Sequence, residues 1–262
     1  VGYTPYYTAG IWVGYDNNGY KHELSSKAGE TSFHKKLWDF TCAENVVTFT
    51  YTSPDGEEGF PGAVRVEVTY RLADSTLTIE YRAAAEKDTV VNLTNHAYFN
   101  LGGHDSGEVD DHVLTVRANH YTPTDGENIP TGKMAEVEGT LLDLRAPTEM
   151  KSRLRNVSLN GGHGYDHNYV LNVGQAPAAE LWCPATGIGM EMTTSMEGMQ
   201  LYTAGWLTER TGKQGALYGP FHGICLETQR FPDAVNHAAF PSPILRAGAE
   251  YCEQTAYRFF AR

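Results

Sequence analysis

The segment "AVRVEVTYRLADSTLTIEYRAAA", residues 63–85, contains two runs in which apolar and polar side chains alternate. Alternation places every second side chain on one face of an extended chain, so each run indicates a strand with one buried face. The residues "LADS" between the runs are typical of a turn. The segment therefore predicts an antiparallel β-hairpin formed by residues 63–72 and 75–85.

The same alternation recurs along most of the chain. It is found at residues 45–53, 89–99, 112–118, 168–173, 179–184, 189–195 and 198–205. Sustained helical periodicity is not seen, and residues 145–156 are the best candidate for a short helix. Closely spaced strands with short turns are typical of two packed sheets. We therefore predict an all-β fold, a large antiparallel β-sandwich, as a single domain over residues 1–262.

Composition disfavours several kinds of partner. The 262 residues include 32 acidic and 20 basic side chains, a net charge of -12, without a basic tract. Nucleic acid and anionic membrane surfaces are therefore not expected partners. The sequence has no apolar run close to the roughly 18 residues that a membrane span needs. Four scattered cysteines without a C-x-x-C pair indicate reduced thiols and a cytoplasmic location.

Two ionisable side chains lie within apolar stretches. Glu227 follows the apolar residues 224–226, so its strand is expected to be buried. Burial raises a carboxyl pKa towards the range useful for a general base. The alternative is that Glu227 marks the point where a strand reaches the surface. His96, in "NLTNHAYFNLGG" (92–103), is either a core histidine bonded to a carbonyl or a reactive imidazole. Asp166 and His167 form either a polar turn before a strand or part of a site.

Metal and nucleotide motifs are weak or missing. His163 and His167 are four residues apart, but the surrounding glycines argue against the helix that would align them. We therefore predict no metal site. The sequence also lacks G-x-S-x-G, a Walker loop and G-x-G-x-x-G.

Six segments in order resemble the aldose 1-epimerases, the galactose mutarotase family. They are "SPDGEEGFPG" (53–62), "NLTNHAYFNLGG" (92–103), "YTPTDGENIPTG" (121–132), "GYDHNYVL" (164–171), "GMQLYT" (198–203) and "LETQRFPDAVNHAAFPSPILRAGAEY" (226–251). The resemblance covers about residues 33–262. It implies a galactose mutarotase-like β-sandwich with an open sugar cleft and no metal or organic cofactor.

The resemblance also implies roles for individual residues. Glu227 corresponds to the general base that removes the proton of the sugar C1 hydroxyl. His96 corresponds to the general acid that protonates the ring oxygen, and Asp166 and Gln200 to residues that hold sugar hydroxyls. Tyr98 is a further candidate for sugar binding. Aromatic sugar platforms are expected among Tyr98, Trp206 and Phe231, each of which could instead be core.

The N-terminal part departs from the family pattern. An upstream sugar-binding arginine and an N-x-L-H-G-G motif with a second histidine are not recognisable. His22 is the nearest positional candidate for that histidine, and His34 is a poor substitute. Residues 1–17 resemble a short stretch of class A penicillin-binding protein transpeptidase domains, which suggests a fusion. We therefore treat residues 1–30 as an atypical N-terminal segment.

Three functions are compatible with these residues. The first is an aldose 1-epimerase that interconverts the α and β anomers of aldohexoses such as galactose and glucose, as a monomer or homodimer. The second is a sugar-binding protein with impaired catalysis, because the N-terminal motif is missing. The third is a glycoside hydrolase that uses Glu227 and Asp166.

Overall fold

The computed structural model describes residues 15–17, 20–22, 33, 36–156 and 158–262, and these residues are almost entirely strands and turns. In chain order the strands are β1 (Tyr15–Asn17), β2 (Tyr20–His22), β3 (Asp39–Ala43), β4 (Val46–Ser53), β5 (Val64–Ala73), β6 (Thr76–Ala85), β7 (Thr89–Val90), β8 (Val113–Val116), β9 (Ala118–Tyr121), β10 (Ala135–Glu136), β11 (Thr148–Glu149), β12 (Asp166–Leu171), β13 (Ala179–Cys183), β14 (Ile188–Thr194), β15 (Gly198–Tyr202), β16 (Arg210–Thr211), β17 (Leu217–Tyr218), β18 (Cys225–Gln229), β19 (Ile244–Leu245) and β20 (Glu250–Ala261). Short 3-10 helices lie at Glu57–Gly59, Met150–Ser152, Asn160–Gly162, Lys213–Gly215 and Ala234–Asn236.

Two antiparallel sheets form the body of the fold. The large sheet has nine strands in the order β11-β8-β13-β14-β20-β6-β5-β4-β3, and the small sheet has five in the order β10-β9-β12-β15-β18. The remaining pairs are β1-β2, β16-β17 and β19-β7. Among the described residues, no helix has the length and apolar character that a bilayer crossing requires.

One hydrophobic core joins the two sheets. It contains Val66 and Tyr81 from the large sheet and Tyr169, Leu201 and Leu226 from the small sheet, each at most 1% exposed. The arrangement confirms the predicted antiparallel β-sandwich. It also fixes the faces of the small sheet, because residues that alternate with the core residues must point away from the core.

The predicted hairpin is confirmed with a shift of one residue. Its strands are β5 and β6, which pair over their full length from Val64↔Ala85 to Ala73↔Thr76. Asp74 in the turn has φ 51°, a conformation that aspartate tolerates better than most residues. The alternation in this part of the chain was therefore sufficient to predict the pairing.

Two predictions of local structure were wrong in part. Residues 89–99 form a strand only at Thr89–Val90. Beyond it, the Asn92 side-chain amide donates to the Arg230 carbonyl (3.0 Å) and accepts from the Arg230 N–H (2.9 Å). These side-chain bonds take the place of the backbone bonds that a neighbouring strand would make. The candidate helix at 145–156 contains only β11 and the 3-10 helix Met150–Ser152. Strand β20, which the sequence analysis missed, lies in the middle of the large sheet.

Candidate active site

Strands β12, β15 and β18 position a set of polar side chains on the face of the small sheet that points away from the core. Gln200 is paired with Glu227, and Asp166 is paired with Tyr202. Paired residues share a face, and Leu226 and Leu201 point to the opposite, core side. We call the set Asp166, Gln200, Tyr202 and Glu227 the site face.

His96 reaches the site face from an irregular segment. Phe99 and Ile224 exchange two backbone hydrogen bonds (2.8 and 2.9 Å), which hold this segment beside β18. Nε2 of His96 lies 3.4 Å from Oε1 of Glu227. The Glu227 side chain is 8% exposed and that of His96 is 33% exposed, so the pair is open on the histidine side. A carboxyl and an imidazole thus adjoin at the edge of solvent.

Asp166 and Gln200 are also in contact. Nε2 of Gln200 donates a 2.7 Å hydrogen bond to Oδ1 of Asp166. Oε1 of Gln200 and Nδ1 of His96 are buried and have no hydrogen-bond partner among the described residues. Buried polar atoms are normally paired, so unpaired ones beside a partly open pair are suited to a polar ligand.

Aromatic rings line the open side of the pair. The Tyr98 ring stacks on the His96 imidazole with centroids 4.9 Å apart and an interplanar angle of 19°. Tyr202 contacts both of these rings edge-on. Tyr98 is 47% exposed, so its ring is accessible to a ligand. Exposed aromatic faces beside polar groups suit a molecule with both apolar and hydroxylated surfaces.

Burial dominates the electrostatics of this cluster. It raises the pKa of Glu227 well above its ordinary value, and repulsion from Asp166 adds to the shift. It also raises the pKa of Asp166, although the Gln200 hydrogen bond opposes the change. Burial lowers the pKa of His96. The carboxylate is therefore a stronger base, and the imidazolium a stronger acid, than either is in water.

Other predicted residues lie elsewhere. His167 alternates with Asp166 and points to the core side, where it accepts a 3.0 Å hydrogen bond from the Asp166 N–H. Burial lowers the pKa of His167 to about 4, so it is neutral near pH 7. Phe231 is 3% exposed and packs with Phe240, so it belongs to the core and is not a platform. The sequence analysis left open whether Phe231 is a sugar platform or a core residue, and its burial shows that it is a core residue.

The remaining candidates are a surface aromatic ring and two N-terminal histidines. Trp206 is 53% exposed and stacks on His163 at 3.6 Å. The backbone N–H of Trp206 donates to the Tyr202 hydroxyl (3.2 Å), which places Trp206 beside the site face. The side chain of His22 and all of His34 lie outside the described residues.

Sequence reasoning missed the residues that support the pair. The Tyr257 hydroxyl donates to the Leu226 carbonyl (2.9 Å) and accepts from Nδ2 of Asn95 (3.0 Å). Asn95 precedes His96 and Leu226 precedes Glu227, so one buried hydroxyl links both halves of the pair. The sequence signal that could have placed Tyr257 in a strand was the alternation of aromatic residues in β20.

Among the residues that the structure describes, two groups of side chains have the composition of a metal site. They are His96 with Cys225 and Glu227, and Asp111 with His112 and Cys183. The first group shares two residues with the site, and Cys225 is its buried third member.

Comparison with known proteins gives a consistent result. A family model described as aldose 1-epimerase matches residues 6–258. Human galactose mutarotase is 43% identical over 242 residues, covering 91% of this chain and 70% of the human protein. The aldose 1-epimerase of Haemophilus influenzae is 37% identical, covering 94% of this chain and 76% of that protein.

Solved structures agree with the sequence matches. A GalM/aldose epimerase homologue from C. elegans superposes with a TM-score of 0.79 at 27% identity, covering 89% of this chain and 71% of that one. The galactose 1-epimerase of Lactobacillus acidophilus gives a TM-score of 0.78 at 25% identity, covering 97% of this chain and 76% of that one.

A carboxyl and an imidazole paired at the edge of solvent are the groups of an acid–base enzyme, and the β-sandwich alone does not select the reaction. The family and sequence matches narrow this class, and the chain belongs to the aldose 1-epimerase family. It is an enzyme that interconverts anomers, and these comparisons give no support to the glycoside hydrolase alternative. The family match begins within residues 1–17, and the likeness of that segment to penicillin-binding proteins is likewise unsupported.

Proposed function

We propose that Glu227 and His96 are the proton-transfer groups of this enzyme and that its substrate is an aldohexose such as galactose or glucose. The observation that carries the proposal is the 3.4 Å approach of Nε2 of His96 to Oε1 of Glu227 on a partly open face. The names of the relatives, galactose mutarotase among them, support the choice of sugar.

The reaction needs two proton transfers. Ionised Glu227 takes the proton from the C1 hydroxyl while protonated His96 gives a proton to the ring oxygen. The C1–O5 bond breaks, and the electron pair of the former O1–H bond becomes the aldehyde π bond. Rotation about the C1–C2 bond presents the other face of the aldehyde. Ring closure then returns one proton from Glu227 to O1 and one from O5 to His96.

The surroundings favour both transfers. Because burial makes Glu227 more basic and His96 more acidic, each proton moves with a larger driving force than between groups in water. Oε1 of Gln200, which has no hydrogen-bond partner within the described part of the chain, can accept from a sugar hydroxyl, and Asp166 can accept from another. The exposed Tyr98 ring provides an apolar surface for the sugar. We propose Asp166, Gln200 and Tyr98 as the sugar-binding residues.

The test is polarimetry of freshly dissolved α-D-galactose and α-D-glucose, with wild-type protein and with Glu227→Gln. We expect the variant to lose at least about 100-fold in rate, since one positioned proton transfer contributes about 10²–10⁴-fold. Glu180→Gln is the matched control, because Glu180 lies on a strand of the large sheet and pairs with Arg262 at the surface. An undiminished rate for Glu227→Gln would contradict the proposed role.

The same assay tests the alternative of a sugar-binding protein with impaired catalysis. If folded wild-type protein binds galactose in a calorimeter but does not accelerate mutarotation, the catalytic proposal fails. Acceleration by wild-type protein removes that alternative.

We also propose a single domain over residues 1–262, with 1–30 an atypical segment, in a cytoplasmic monomer or homodimer. The shared core of the two sheets supports one domain. The four cysteines are free, which supports a reducing compartment. Sedimentation of the purified chain distinguishes monomer from homodimer.

A further inference from the structure

The thiol of Cys225 has no part in the proton transfers, yet it lies among the groups that perform them. Cys225 is fully buried, and it shares the site face with Glu227 because it is two residues earlier on β18. One ligand-type atom from each of His96, Cys225 and Glu227 lies within 4.8 Å of the other two. A thiol, an imidazole and a carboxyl therefore converge on a small volume.

The spacing of these atoms matches that of zinc ligands. Zinc bonds of about 2.0–2.3 Å in a tetrahedral arrangement separate ligand atoms by about 3.3–3.6 Å. Nε2 of His96 and Oε1 of Glu227 are already 3.4 Å apart. The other separations are at most 4.8 Å, so the sulfur needs to move by no more than about 1.3 Å to reach a zinc-ligand spacing.

The local charge also favours a cation. Glu227 and Asp166 lie on the same sheet face on either side of Gln200, so the two carboxylates repel each other when both are ionised. Among the described residues, no lysine or arginine forms an ion pair with either carboxyl, and the His96 imidazole beside Glu227 is charged only when protonated. A divalent cation would relieve this repulsion where no permanent positive charge does.

The second group of potential ligands provides an internal comparison. His112 uses both ring nitrogens, because Nε2 accepts from the Leu101 N–H at 3.0 Å and Nδ1 bonds Oδ1 of Asp111 at 3.0 Å. Cys183 in that group donates to the other Asp111 oxygen at 3.7 Å. A metal there would have to break these bonds. At His96 it would replace the contact of Nε2 with Glu227, since Nδ1 has no hydrogen-bond partner among the residues that the structure describes.

We propose that His96, Cys225 and Glu227 form a binding site for a thiophilic divalent cation of the Zn²⁺ class, and that the bound cation excludes sugar. Three protein ligands with a fourth position open to solvent is a common arrangement for zinc. On binding, the thiol proton of Cys225 leaves to solvent and the sulfur bonds the metal as a thiolate. Mg²⁺ does not bind, because it prefers oxygen ligands to sulfur.

The site is expected to bind weakly and reversibly. Metal-bound histidines usually donate their second ring N–H to a neighbouring acceptor, which fixes the ring and strengthens binding. In the part of the chain that the structure describes, no neighbouring side chain accepts from Nδ1 of His96. The cation is therefore an inhibitor of this enzyme and not a resident cofactor.

Titration of the purified full chain with Co²⁺ tests the proposal, because thiolate–cobalt bonds give an intense near-ultraviolet absorption. We expect one equivalent of Co²⁺ to produce the band, Zn²⁺ to abolish it and Mg²⁺ to leave it unchanged. Cys225→Ala should lose the band, and Cys183→Ala, the matched buried thiol of the other group, should keep it. Glu227→Gln retains the sulfur and should weaken Co²⁺ binding at least about tenfold by removing an anionic ligand.

Three results would overturn the proposal: no band in wild-type protein, a band that survives in folded Cys225→Ala, or unchanged affinity in Glu227→Gln. The exclusion of sugar rests on the proposed function and is tested by competition of galactose with Co²⁺. Cobalt binding without mutarotation would refute the proposed function alone. Mutarotation without cobalt binding would refute this inference alone.

Discussion

On the face of the small sheet that points away from the core, the polar side chains at the two ends differ in how far they are hydrogen-bonded. At one end Nε2 of Gln229 donates to Oδ1 of Asn168 (3.3 Å), and Nδ2 of Asn168 donates to Oγ1 of Thr122 (3.3 Å). These three residues are at most 4% exposed and form a closed polar chain. At the other end, two residues away on β12 and β18, Asp166 and Glu227 have raised pKa values, and a Gln200 oxygen has no partner.

The contrast separates scaffold from site. Both ends use strands β12, β15 and β18, so backbone geometry is not the difference. Where the side chains satisfy one another, the protein gains stability and has nothing left to offer a ligand. Where they do not, the protein keeps buried polar groups whose missing hydrogen bonds a sugar can supply. Substitutions at the two ends should accordingly affect different observables.

The largest expected effect on stability is at the closed end. Asn168→Ala leaves Nε2 of Gln229 and Oγ1 of Thr122 unpaired in a buried place, so we expect it to lower the free energy of unfolding by about 1–3 kcal/mol. Urea denaturation measures this loss, and the KM for galactose should change little in the folded variant.

The open end should behave in the opposite way. Gln200→Ala removes the contact with Asp166, but both residues are partly exposed and water can replace the bond. We expect a raised KM with a smaller loss of stability than in Asn168→Ala. A larger loss of stability in Gln200→Ala would show that the two ends do not differ in this way.

A smaller effect is expected where the scaffold meets the site. Tyr257→Phe deletes the hydroxyl that bonds the Leu226 carbonyl and the Asn95 amide, the neighbours of Glu227 and His96. We expect kcat to fall by up to about tenfold, equivalent to about 1.4 kcal/mol of lost positioning, with KM nearly unchanged. Steady-state polarimetry gives both constants.

Tyr81→Phe is the matched control for this substitution. The Tyr81 hydroxyl also accepts from Nδ2 of Asn95 (3.3 Å) in a fully buried place, whereas the hydrogen bond to the Leu226 carbonyl comes from Tyr257. Its effect on kcat should be smaller than that of Tyr257→Phe. Equal effects of the two variants would mean that the link to Leu226 does not position Glu227.

The sequence predicted those parts of the fold that depend on neighbouring residues. Alternation is a local property, and it located β5 and β6 to within one residue. It failed at residues 91–99, because the partner of this segment is the distant Arg230 backbone, reached through the Asn92 side chain. The alternation of apolar and polar residues carries no information about a distant segment whose backbone is bonded by a side chain in place of a strand.

The candidate site was predicted to a similar extent. The resemblance to a family identified Glu227, His96, Asp166 and Gln200, and the structure brings these four together. Sequence could not show that Tyr202 and Cys225 lie side by side, because that follows from the pairing of β15 with β18. The sequence also could not decide whether Phe231 is a sugar-binding aromatic residue or a core residue. Its packing against Phe240 in the structure makes it a core residue.

The smallest expected effect concerns pH and two glutamates with opposite surroundings. Burial raises the pKa of Glu227, so ionisation of this group opposes folding, and stability falls as pH rises from its unfolded pKa towards its folded pKa. Burial also acts to raise the pKa of Glu57, but hydrogen bonds from Lys36, Ser53 and Tyr51 outweigh it and lower that pKa. Ionised Glu57 therefore adds stability above its unfolded pKa, and this is lost as pH falls.

Neutral glutamine at each position should thus shift Tm in opposite directions. At pH 7, Glu227→Gln should melt above wild type, and Glu57→Gln below it. As the pH is lowered towards the ordinary glutamate pKa, near 4.3, the difference for Glu227→Gln should shrink, since the carboxyl of the unfolded wild type becomes protonated too. The difference for Glu57→Gln should shrink below that pH, where the carboxyl of folded Glu57 is protonated. Calorimetric melting curves of the three proteins over this range measure the effect. If Glu227→Gln lowered Tm at pH 7, the buried carboxylate would be stabilised by partners in the fold, and the site face would not be the open end of the sheet.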